Sequence, residues 1–181
     1  MPDRYQNTAL QGISLPPAQM RVLNQAFDLH MSGHSAQAAP MFASLAAQLE
    51  AANVPRRAAS VHAQAAHVYA DIKDEQNALA QARATLNLFI KCQMNYRLTT
   101  FFSGITHKMN KMGLNNAAAT IEKEYGAKVA AALVPNAVPA HHGTLPTNCT
   151  KCGAPLRGDL AHWVDSQTIE CEYCGALIRA T

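Results

Sequence analysis

A 40-residue register runs through the first three quarters of this 181-residue chain and limits its fold more than any other feature. Ala38, Ala78 and Ala118 recur at that spacing, as do Ala26, Ala66 and Thr106, each of the latter followed three positions on by Leu29, Tyr69 or Met109. Gly33, Lys73 and Gly113 fall in the breaks between them. Small residues recur where two helices cross closely, and larger apolar ones where a gap must be filled. Such a chain stacks one unit on the next, because no single unit buries its apolar face alone. Of 34 alanines, 28 precede residue 133, and alanine loses no side-chain entropy in a helix. With aromatics at 6%, the core is built from small and aliphatic side chains, which argues against an aromatic-rich β-sandwich.

The pattern resembles the tetratricopeptide repeat family, whose units are helix-turn-helix pairs with a small residue on each helix and a larger apolar residue before the turn. The resemblance covers residues 16–132. It departs from the family in period, in lacking Leu-Gly, and in having Pro55 as the one match to a closing proline. Six helices are expected near 17–32, 36–53, 56–72, 75–93, 95–112 and 115–132. Pro16-Pro17 starts the first, Ser35 caps the second, Pro55 opens the third, Asp74 caps the fourth and Gly113 closes the fifth. Pro40 is expected to kink the second helix. Gly104 costs the fifth about 1 kcal/mol relative to alanine, tolerable where another backbone approaches.

Residues 1–15 form an N-terminal extension and 16–133 the helical domain. Residues 134–148 read as a linker, with three prolines and a glycine in its first 13 positions; that proline content makes it semi-extended. Beyond it, Cys149-x-x-Cys152 and Cys171-x-x-Cys174 are separated by 18 residues, a spacing suited to zinc, and both pairs continue as Cys-Gly-Ala. Two such turns set four thiolates around one ion. The intervening stretch reads as strands, with Trp163 on the first, a turn at 165–167, and 168–170 leading into the second pair. Residues 149–179 of this last domain, 149–181, are similar to the zinc ribbon family, which implies Cys149, Cys152, Cys171 and Cys174 as ligands of one structural zinc. A redox dithiol is the lesser reading, since thioredoxin-like sites use one such pair on a βαβ unit. The expected fold class is an all-α helical-hairpin repeat with a small C-terminal β zinc ribbon.

Residues 76–121 contain no Asp or Glu, yet hold Arg83, Lys91, Arg97, Lys108 and Lys111. These cations, with Tyr96, Phe101 and Phe102 near them, are together with Trp163 candidate partner-binding residues, set against an ordinary solvated face and an ordinary core. The ribbon has three basic and four acidic residues, and four zinc-bound thiolates make it more anionic still, which disfavours phosphate contacts there. Its charge is opposite to that of the helical part, so docking of the two is expected, with Trp163, Leu177 and Ile178 as apolar contacts. Glu170 and Glu172 are read as solvated strand residues, Cys92 as a small buried hydrophobe, His141-His142 as incidental, and Asp71, Asp74 and Glu75 as capping residues. His62 and His67 lie five apart, off a common face.

No hydrolase, P-loop, zincin or dinucleotide motif occurs, so an enzyme is not expected. No apolar run reaches the length of a membrane span, and the start has no secretory pattern, so a cytoplasmic chain is expected. The functional expectation is a scaffold or adaptor that binds a protein partner, with one structural Zn²⁺. A nucleic-acid-associated or transcription-linked factor using the basic face of the fourth and fifth helices is the alternative.

Overall fold

The computed structural model describes residues 15–133, 143–156, 162–163, 165–171 and 176–181. They belong to two compact units, one spanning Leu15–Leu133 and one drawn from the chain after it.

The first unit is six helices: α1 (Pro17–Met31), α2 (Ser35–Ala51), α3 (Pro55–Asp71), α4 (Glu75–Lys91), α5 (Asn95–Lys111) and α6 (Asn115–Leu133). Each expected helix is present with its ends within two residues. From α2 onward a helix begins every 20 residues, at 35, 55, 75, 95 and 115. The five connecting turns share one conformation. Gly33, Asn53, Lys73, Gln93 and Gly113 all have positive φ, between 55° and 83°. In the first turn His34 N–H donates to the Leu29 carbonyl at 2.8 Å and Gly33 N–H to the His30 carbonyl at 3.1 Å. The same pair of bonds recurs at Val54 and Asn53, Asp74 and Lys73, Met94 and Gln93, and Leu114 and Gly113. This is the Schellman motif, which satisfies carbonyls that a helix end leaves without partners.

The packing follows the same count. Ala38, Ala58, Ala78, Leu98 and Ala118, the fourth residue of each helix from α2, are all buried, as are Ala26, Ala46, Ala66, Leu86 and Thr106. The repeating element is therefore one helix with its turn, and the 40-residue register counts every second one. Leu49, Tyr69, Phe89 and Met109, three positions before each cap, fill the spaces at the turns. Helix α3 packs on α2, α4 and α5, and α4 packs on α3, α5 and α6. Buried Ser60, His62 and Gln64 lie on α3 among its alanines. The ring nitrogens of His62 meet Gln81 Oε1 at 2.6 Å and Glu50 Oε2 at 3.1 Å, tying α3 to both α4 and α2.

Several local expectations need correction. His34, not Ser35, is the N-cap of α2. Ser35 is its first helical residue, with Oγ 2.9 Å from His30 Nδ1. Pro40 does lie inside α2, as expected; it is exposed, as is Ala36, whose carbonyl loses its donor where water can replace it. A Cβ at exposed Gly104 would meet nothing within 4 Å, so no backbone approaches there. Cys92 is the C-cap of α4, half-buried, and its carbonyl accepts from Arg56 Nη2 at 2.8 Å. Tyr96 is 43% exposed, whereas Phe101 is buried as expected.

The second unit contains a small antiparallel sheet in the order β1 (His162–Trp163), β2 (Thr168–Glu170), β3 (Leu177–Arg179). Gln167 N–H donates to Asp165 Oδ1 at 2.8 Å in the expected turn between β1 and β2. Ile169 faces Ile178 across the sheet, and with Cys149 and Cys171 they form the core, flanked by Leu145, Leu156, Trp163 and Ala176. The end of the expected linker belongs to this unit. Thr144 and Thr181 exchange backbone hydrogen bonds at 2.7 and 3.0 Å, and a Cβ on Gly143 would lie 2.9 Å from the Thr181 oxygen. Positions 134–142, with His141 and His142, fall outside the described residues, as do 160, 161 and 164 of the first expected strand, placed at 160–164.

Ala66 is fully buried, while Ala47 on α2 is exposed. Ala66→Leu is expected to lower stability by about 1 to 3 kcal/mol through overpacking, and Ala47→Leu to change it by no more than about 0.5 kcal/mol. Urea titrations followed by helical circular dichroism measure both.

Candidate metal centre

Three cysteine thiols converge at one end of the small sheet. Cys149 and Cys152 sit on a tight turn whose ends are tied: Cys149 N–H donates to the Ala154 carbonyl at 2.7 Å, and Gly153 N–H to the Cys149 carbonyl at 2.8 Å. Gly153 has a φ of +74°, a conformation a side chain would strain. Asn148 and Pro155 form an isolated bridge below the turn, and Asn148 Nδ2 donates to the Gly153 carbonyl at 2.8 Å. Lys151 N–H points back at Cys149 Sγ, 3.4 Å away. Cys171 follows β2 directly, and its N–H donates to the Ala176 carbonyl at 2.8 Å, the bond that Cys149 makes to Ala154.

The three sulfur atoms lie within 4.8 Å of one another, with Cys152 Sγ and Cys171 Sγ 3.8 Å apart. That separation is far beyond a disulfide bond of about 2.05 Å. Cys149 and Cys171 are buried and Cys152 is half-buried. Among the described residues these three form the one His, Cys, Asp or Glu group able to hold a metal ion. Cys174, the fourth ligand expected from the sequence, lies outside the described residues, as does Glu172.

Two readings of this unit change. Glu170 is buried, 3% exposed, rather than solvated: β2 is three residues long and Ile169, Glu170 and Cys171 are all enclosed in succession. Ile178 is 3% exposed because strand alternation turns it into the unit's own core, and Trp163 packs against that same core; Leu177, on the opposite face of β3, is 50% exposed. The apolar surface of Ile178 is thus used within its own unit.

The five cations of the acid-free run have separate fates. Arg83 makes a two-pronged ion pair with Glu124, its Nε 2.8 Å from Oε2 and its Nη2 on Oε1. Hydrogen bonding to Arg83 holds the Glu124 carboxyl below the usual carboxylate range. Lys108 Nζ lies 2.8 Å from Asp71 Oδ2. Arg97 is buried and donates from Nη1 to Ser60 Oγ at 2.8 Å. Lys91 and Lys111 are exposed. The acids that neutralise Arg83 and Lys108 lie just outside the acid-free run in sequence, and the register of alternate helices brings them into it. The acidic trio divides likewise. Asp74 caps α4 by accepting from Asn77 N–H at 3.1 Å, Glu75 accepts from Ala117 N–H at 2.9 Å in the first turn of α6, and Asp71 joins α3 to α5.

Asp71 also lies 3.9 Å from His30 Nε2, whose other nitrogen meets Ser35 Oγ. At that distance no hydrogen bond joins the acid to the ring, and Asp71 is held by Lys108. The cluster is a polar tie among α1, α3 and α5. Burial pushes the His30 pKa down. His67, one turn before Asp71, meets the Phe101 ring edge-on at a centroid distance of 5.5 Å.

Compared with known proteins, the chain matches no family model, no curated protein and no solved structure. No helix among the described residues is long and apolar enough to cross a membrane.

Loss of solvent, and secondarily the Lys108 ammonium, lowers the His67 pKa from 6.5 to about 3. The folded state therefore binds fewer protons than the unfolded state between those values. Stability is expected to be intact above pH 6.5 and to fall as the pH drops toward 3, with His67 contributing up to about 1.4 kcal/mol per pH unit. His67→Gln should flatten this fall, as read from urea midpoints between pH 7 and 4.5. An unchanged slope would contradict it.

Proposed function

We propose that the chain is a non-enzymatic adaptor in which a tetratricopeptide-like helical array binds a segment of a protein partner and a zinc ribbon serves as a second contact module. The observation that carries this reading is the 20-residue recurrence of one helix and one turn conformation. Arrays of this kind present an extended surface built from successive helices. A protein partner is favoured over nucleic acid by the pairing of Arg83 and Lys108 with Glu124 and Asp71 and by the burial of Arg97. Phosphate binding depends on cations that can replace released counterions, and of the five in the acid-free run Lys91 and Lys111 are the two exposed without an acidic partner among the described residues.

Zinc is the ion that fits the cysteine set best. Thiolates suit a borderline-soft cation, and zinc–sulfur bonds of about 2.3 Å in a tetrahedron set sulfur atoms about 3.8 Å apart, the distance between Cys152 Sγ and Cys171 Sγ. Cys174 supplies the fourth thiolate in this reading, since Cys171 and Ala176 repeat the hydrogen bond between Cys149 and Ala154. Four thiolates leave no open position, so the ion is structural rather than catalytic. Its contribution is to fold a unit whose core, among the described residues, is a cluster of four buried side chains, too small to hold by itself.

Freshly purified, reduced protein is expected to contain one zinc per chain by elemental analysis, and Cys171→Ser to lose it with the ordered amide spectrum of 149–179 while the helical signal stays. Zinc-free wild-type protein would remove the ribbon reading. Binding of generic duplex and single strands, titrated against salt, tests the partner class: weak binding is expected, and tight binding with a steep salt slope would indicate a nucleic-acid factor instead.

A further inference from the structure

Residues 147–156 close around the first Cys-x-x-Cys pair, and one bond in that turn bears on how firmly an ion is kept there, an inference that rests on the metal reading above. Leu156 N–H donates to the Thr147 carbonyl at 2.9 Å, and Asn148 and Pro155 bridge the two sides. At the tip, three successive groups just after Cys152 are held. Gly153 N–H donates to the Cys149 carbonyl at 2.8 Å, Asn148 Nδ2 donates to the Gly153 carbonyl at 2.8 Å, and the Ala154 carbonyl accepts from Cys149 N–H at 2.7 Å. The first and third are backbone bonds. The second is made by a side chain, and it sets the rotation of the planar peptide between Gly153 and Ala154. That peptide follows the residue whose φ is +74°, where the freedom of glycine would otherwise let the backbone turn.

We propose that Asn148 is a positioning residue of the metal centre: by pinning the Gly153 carbonyl it keeps the turn that carries Cys149 and Cys152 closed, and so slows the loss of the ion. A thiolate that lets go of a metal by side-chain rotation alone stays tethered beside it and rebinds, because a short tether gives it a high effective concentration. Departure requires the tether itself to open, which here means turning the backbone at residues 153 and 154. Asn148 resists that turning from a backbone that is itself paired with Pro155. It lends the ion no ligand and acts through the turn, in the way that groups behind the ligands of a metal orient them. Asparagine suits the role because its amide nitrogen donates to a carbonyl, whereas the isosteric aspartate presents acceptor oxygens alone.

The full-length, zinc-loaded protein and its Asn148→Ala and Asn148→Asp variants are each challenged with excess chromogenic chelator, and the visible spectrum of each is recorded with Co²⁺ in place of zinc. Zinc release is expected to be roughly 3- to 10-fold faster in both variants, the range set by one net hydrogen bond, with shifted Co²⁺ d–d bands and an unchanged helical signal. In Asn148→Asp the added negative charge favours a cation, so faster release there separates the lost donor from charge. Should either variant fail to hold metal, the wild-type protein decides: one Asn148 side-chain amide proton is expected to resonate downfield in the zinc-loaded form and to return to the unbonded range on chelation. Equal release rates, unshifted Co²⁺ bands despite faster release, or an Asn148 amide signal in the unbonded range while zinc is bound overturns the assignment and leaves the metal reading intact. Zinc-free wild-type protein contradicts the metal reading, and the positioning role falls with it.

Discussion

The helical unit depends on a single backbone constraint, the left-handed residue that ends each of the first five helices. A residue with positive φ turns the chain back within three positions and lets two amides satisfy two terminal carbonyls, so each helix stops at a fixed length. Equal lengths keep the helices in phase. Residues about 40 positions apart therefore meet across alternate helices, as Arg83 with Glu124, Lys108 with Asp71, Arg97 with Ser60, and Tyr125 with Asn87 at 2.9 Å all do. Glu75 accepting from the α6 backbone at Ala117 belongs to the same series. A turn one residue longer would displace each of these partners by about 100° around its helix.

The six helices were legible because the signals that mark them are local. Alanine enrichment, Pro17 and Pro55 at first positions, the Asp74 cap and the Gly33 and Gly113 stops all act within one turn. The 20-residue count was not legible, and the reason lies in the turns. Glycine marks the left-handed position at 33 and 113, but Asn, Lys and Gln occupy it at 53, 73 and 93, where neighbouring contacts override a preference of about 1 to 2 kcal/mol. Side-chain size obscures it too, since Leu86 and Leu98 stand where alanines stand in other helices.

The charge pattern shows why a one-dimensional run of cations is a poor guide to a surface. Residues 76–121 hold no acid, yet helices from outside that run supply Asp71 and Glu124. The burial of Arg97 was equally invisible, because its partner Ser60 is 37 residues away. In the second unit the convergence of Cys149, Cys152 and Cys171 was legible from their spacing, and Cys149 and Cys171 each make the same backbone hydrogen bond to an alanine five positions on. The burial of Glu170 was not, because a strand of three residues beside a cysteine cluster has no solvent face to alternate with.

The two parts of the chain are held differently: by repeated turns and close-packed alanines in 15–133 and, in the zinc proposal, by an ion in the part beyond. Amide hydrogen exchange with and without a strong zinc chelator tests this most directly. Chelation is predicted to expose the amides of Cys149, Cys171, Ala180 and Thr181, which are hydrogen-bonded within the second unit, while protection in α2 to α5 is unchanged. Unaltered protection at those four amides after verified zinc removal, or loss of protection across the helices together with them, would contradict it.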